Sequence, residues 1–145
     1  MAKDMGDEPI GGINDHGPKA SSKDLQAERT AALRRLRQAE EQRDEAQQLA
    51  RIYAEAAEQL ETKARQLRAE AESLARQGDA AAAENRLSQA VEAETLARQN
   101  IQLAEEKSRL ARTCEDKVAN ERALAAALAA KIKRQEESKW DDWEL

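Results

Sequence analysis

An imidazole and a thiol are the side chains best suited to acid–base, nucleophilic or metal work near neutral pH, and this chain holds one of each, His16 and Cys114. His16 stands among glycines and prolines, with no cysteine or carboxylate at ligand spacing. Cys114 falls on the apolar face of a helical stretch, where a thiol serves as a small buried hydrophobe. Glutamates are abundant, but a carboxylate-bridged di-iron bundle needs Glu-x-x-His pairs, and none occurs. There is no glycine-rich phosphate loop and no nucleophile in a recognisable motif. The expectation is a protein that is not an enzyme and holds no cofactor or metal. A single cysteine also excludes an internal disulfide and fits a reducing compartment.

Two clusters suit recognition instead. Trp140, Trp143 and Leu145 lie among acids in the last stretch, 138–145. Indoles supply anchor area and acids steer towards a basic groove, so this tail reads as a docking peptide for a protein partner. The alternative is that it folds back on the helices. Residues 29–43 carry five arginines, Arg34, Arg35 and Arg37 among them, against Glu40 and Glu41. That cluster suits an anionic membrane surface or an acidic segment of another subunit; a solvated, salt-bridged face is the alternative. Nucleic acid is not an expected partner, because the basic run is short, lacks aromatic platforms and sits in a chain of net charge −5.

Positioning these residues falls to helices. Aromatics make up 2% of the chain and charged residues 37%, while alanine alone fills 31 of 145 positions. Such a composition builds long helices rather than a broad core. Residues 1–21 hold four of the five glycines and both prolines, and read as a disordered arm. Ser21 or Ser22 then opens a first helix over 22–77, with Asp24 placed to complete a capping box around Ser21. A series alternating by three and four, eleven of its twelve members apolar or aromatic, runs Leu36, Ala39, Arg43, Ala46, Ala50, Tyr53, Ala57, Leu60, Ala64, Leu67, Ala71 and Leu74. A pattern sustained over so many turns predicts a coiled-coil seam. Gly78 suits the left-handed position past a helix end, and Asp79 suits an N-cap. They predict a tip at 78–79 and a second helix over 80–137.

The fold class is thus all-α: a long antiparallel two-helix coiled-coil hairpin behind a disordered N-terminal arm. One continuous helix through Gly78 is the alternative, since a lone glycine costs only about 1 kcal/mol relative to alanine. In the hairpin, Leu74 faces Ala83, Leu67 faces Ala90, Leu60 faces Ala97 and Tyr53 faces Ala104, large against small. The second heptad position pairs Ala71 with Leu87, Ala57 with Ile101 and Arg43 with Glu115, the last a pair that would fix register. Ala64 with Glu94 fits less well, the glutamate's head staying in water. Glu61/Arg65, Glu72/Arg76, Glu94/Arg98 and Glu105/Arg109 are spaced to pair along the outer faces. Leu96, Leu103, Leu110 and Leu124 recur at multiples of seven one residue off the seam, broadened by Val91, Cys114 and Leu128. Leu33, Leu49 and Ile52 do the same on the first arm. A lone hairpin leaves such leucines wet, which predicts contact with another copy or partner. The alternative is a wider seam with some exposed leucine.

Around the tip, Leu74, Ala75, Gly78, Ala83 and Leu87 occupy the places of corresponding residues in the hairpin tip of the phage shock protein A / Vipp family, bacterial relatives of ESCRT-III, which residues 28–135 resemble. The resemblance implies a hairpin that polymerises, alone or with a related hairpin protein, and acts at membrane surfaces under envelope stress. This chain has the Gly/Pro-bearing arm where the family has an amphipathic membrane helix. It has the acidic Trp tail where the family has short bracing helices. Self-assembly or co-assembly is therefore expected ahead of membrane insertion. No apolar leader and no apolar run of the ~20 residues a span needs is present, so a cytoplasmic protein, peripheral at the inner membrane, is expected. A soluble coiled-coil adaptor, scaffold or secretion chaperone docking through the tail is the competing reading.

Overall fold

The computed structural model describes residues 21–144, with side chains through residue 139. The expected arm before residue 21, His16 within it, Leu145, and the side chains of Trp140 and Trp143 lie outside the described residues. Two helices account for nearly all the rest: α1, Ser22–Arg76, and α2, Ala80–Glu144. Among the described residues there is no strand, and the two helices pack against each other.

Three of the four helix ends are closed by local sequence. The Asp24 N–H donates to Ser21 Oγ at 3.1 Å, and the Leu25 N–H donates to the Ser21 carbonyl at 3.0 Å. Ser21 is therefore the N-cap of α1. At the other end the Gly78 N–H reaches the Ala75 carbonyl and the Asp79 N–H reaches the Leu74 carbonyl, both at 3.0 Å. That pair of bonds is a Schellman motif, which needs a left-handed residue. Gly78 supplies it at φ +88°. Asp79 Oδ1 then accepts from the Ala82 N–H at 3.2 Å and caps α2. α2 continues to Glu144, past the end expected at residue 137. Nothing stops it, because no glycine or proline follows Gly78.

Among the described residues the helices contribute to two compact units, residues 37–118, and residues 21–36 together with 119–144. In the unit of 37–118, the α1 series from Ala39 to Leu74 is buried or half-buried at every member. On α2 an inward stripe runs through Ala83, Arg86, Ala90, Ala93, Ala97, Asn100, Ala104, Lys107, Ala111, Cys114 and Val118, with Ala82, Gln89, Glu94 and Ser108 half-buried beside it. The stripe too alternates by three and four. Here the second heptad position differs from expectation by one residue. Leu87 is 42% exposed and Ile101 37% exposed, while Arg86, Ala93 and Asn100 take the inward places. Ala90, Ala93 and Ala97 with Cys114 and Val118 set the phase of this stripe. A helix cannot change phase between them without an insertion.

In the other unit, Leu25, Ala32, Ala125, Leu128 and Ile132 form one buried cluster. Leu128, like Cys114 (4% exposed) in its own unit, belongs to the packed side rather than to an outer stripe, whereas Val91 is exposed. Arg35 Nε donates to Glu121 Oε2 at 3.0 Å in the same unit.

Candidate assembly surfaces

Within residues 37–118, later positions of α1 meet earlier positions of α2, and cross-helix ion pairs mark the edges. Arg68 grips Glu94 with two hydrogen bonds, Nη2 to Oε1 at 2.7 Å and Nε to Oε2 at 2.9 Å. Hydrogen bonding by the Arg68 guanidinium holds the Glu94 carboxyl below the usual carboxylate range, and the same bond raises Arg68. Arg86 Nε lies 3.1 Å from Glu70 Oε1. Arg43 reaches Glu115 at 3.3 Å, but its own neighbour Asp44 sits closer, at 3.0 Å. Asp44 is the main cause of the raised Arg43 pKa, with Glu115 a lesser one. The proposed register pair is thus shared with a carboxylate from the same helix.

Three cross-helix pairs have no counterpart in the sequence pattern, Arg35–Glu121, Glu70–Arg86 and the clamp between Arg68 and Glu94. Glu94 was expected to leave its head in water, yet the pair joins the two helices. Each residue follows an inward position by one, Leu67 on α1 and Ala93 on α2, so the correct phase of α2 would have exposed it. Of the pairs expected along the helices, Glu72 and Arg76 meet at 3.2 Å. Arg65 and Arg98 instead bond to Thr62 and Thr95.

The inward stripe divides this unit into two outer faces. On one, Ala54, Ala57, Ile101 and Ala104 line an open groove of about 730 Å³ edged by Arg51, Arg112 and several glutamates. On the other, the α2 residues before inward Ala97, Ala104 and Ala111 are Leu96, Leu103 and Leu110, exposed at 47%, 37% and 46%. The matching positions on α1 are Leu49, Ala56, Lys63 and Glu70, with Ile52, 49% exposed, alongside. Three of the four leucines of the expected stripe therefore lie outside on one face. Leu124, also exposed, belongs to the other unit.

The arginine cluster is divided too. Arg35 is committed to Glu121, while Arg34 and Arg37 are exposed. Among the described residues no group of three or more His, Cys, Asp or Glu could hold a metal ion, and no helix is long and apolar enough to cross a membrane. In comparisons with known proteins no family model matches, and no curated protein or solved structure is significantly similar.

Proposed function

We propose that this is a non-enzymatic assembly protein whose helices form an antiparallel coiled-coil hairpin, and that copies of the hairpin polymerise at an anionic membrane surface in a stress response. The observation that carries the reading is the placement of leucine. From Ala80 to Val118 every leucine of α2 is exposed, while the inward positions are mostly alanine. A helix pair that keeps its largest apolar side chains in water has surface left for another molecule. The resemblance to the phage shock protein A / Vipp family at the tip supports polymerisation, and exposed Arg34 and Arg37 suit anionic headgroups.

Sedimentation and negative-stain microscopy of the full chain test the assembly, and co-sedimentation with liposomes, with and without anionic lipid, tests the surface. The expected result is rods or rings that pellet with anionic vesicles. A small discrete oligomer that ignores both kinds of vesicle overturns the membrane reading and leaves a soluble adaptor. Spin labels at positions 60 and 97 test the hairpin, which requires them to be close neighbours.

A further inference from the structure

The geometry points to one particular docking surface: the leucine face of residues 37–118 receives a second copy of the same face, across a two-fold axis beside Leu103. This inference deepens the self-assembly reading and rests on it.

Three observations carry it. The first is the content of the face. Along α2 it runs Gln89, Glu92, Leu96, Gln99, Leu103, Glu106, Leu110, Thr113 and Lys117, and on α1 Leu49, Ile52 and Ala56 flank it. Charge is sparser there than opposite: Glu92, Glu106 and Lys117 on α2 and Lys63 on α1, with the Glu70–Arg86 pair past one end. The opposite face is lined by a dozen charged residues and crossed by the Arg68–Glu94 and Arg43–Glu115 pairs. A surface that meets its own copy brings like charges together, so a sparsely charged face is the one that can do so.

The second is size. From Gln89 to Lys117 the face is about 42 Å long at 1.5 Å per residue, and two helices make it about 20 Å wide. That is ~800 Å² per copy, the area a stable interface takes from each partner.

The third is symmetry. Leu96 and Leu110 lie seven residues either side of Leu103. In a two-fold contact the residue before the centre meets the residue after it. Leu96 of one copy then packs on Leu110 of the other, and Leu103 packs on itself. The same operation brings acidic Glu92 within a turn of basic Lys117 of the second copy, at both ends of the contact. Leu49 and Ile52 close the flank against the incoming α2.

The test uses the full chain. Leu103→Lys sets two ammonium groups against each other at the axis and should weaken self-association about 30-fold or more, as loss of a central anchor does. Ile101→Lys, on the opposite face and equally exposed, should leave it unchanged; circular dichroism confirms that both variants stay helical. With Cys114 replaced by alanine, Leu103→Cys should form a disulfide-linked dimer on mild oxidation, and Ile101→Cys should not. Glu92→Lys should weaken association, and adding Lys117→Glu should restore it. If wild type associates but Leu103→Lys associates equally well, this face is wrong while self-assembly stands. Association lost in Leu103→Lys without a Leu103→Cys crosslink overturns the two-fold arrangement. A wild-type chain that stays monomeric at high concentration overturns both readings.

Discussion

Between residues 80 and 118, α2 has two sides that reverse the usual order of size. Its packed side is alanine at six positions, with Cys114 and Val118 the largest apolar members, while its open side carries Leu87, Leu96, Ile101, Leu103 and Leu110. α1 does the opposite over the same unit, turning Tyr53, Leu60, Leu67 and Leu74 inward. Burial here follows complementarity of volume, not hydrophobicity alone. A large residue on one helix demands a small one opposite, so α2 contributes alanine to the contact and its leucines are released to the outside.

The comparison is most severely tested by putting bulk on the packed side. Ala90 is fully buried, and Ala90→Leu should destabilise the chain by about 1–3 kcal/mol, the cost of overpacking, measured by urea unfolding. If it is neutral, the inward stripe is not packed as described. Next in size is the turn that starts α2 in phase. Gly78 has open space around it but a left-handed φ, so Gly78→Ala should cost about 1–2 kcal/mol through backbone conformation. A smaller effect concerns the edge of the packed side. Glu94 has a depressed carboxyl pKa in the folded chain because Arg68 bonds to it. Its contribution is therefore present above the unfolded carboxylate value, roughly pH 4.3, and is lost as pH falls through the lower folded value. Arg68→Gln should flatten that acid limb of the stability curve, and an unchanged limb would remove the clamp from the account. Smallest is Leu87→Gln on the open side, which should change stability by no more than about 0.5 kcal/mol.

Much of this arrangement was legible in residue order. The alternation from Leu36 to Leu74 names the packed side of α1 because every member is apolar except Arg43. The glycine followed by aspartate at 78–79 carries its own turn chemistry, and Ser21 its own cap. The packed side of α2 was harder, because its second position holds Arg86, Asn100 and Lys107, polar residues no hydrophobic pattern selects. Leu87 and Ile101 lie one residue away and match the pattern better, so they drew the expected register aside. Long polar side chains can lie along the contact with their heads at its edge, which lets alanine dictate the phase. The end of α2 was hidden for another reason. Helices stop at identifiable breakers, and a change from alanine to acidic and aromatic residues is not one.

Cys114 lends the helix pair a reporter of its own. Its thiol is the only one in the chain and is shut between α1 and α2. An alkylating reagent can reach it only when the two helices part, so the speed of alkylation clocks how often they come undone. Any partner that clasps the pair should slow that clock, and any that pries it open should quicken it.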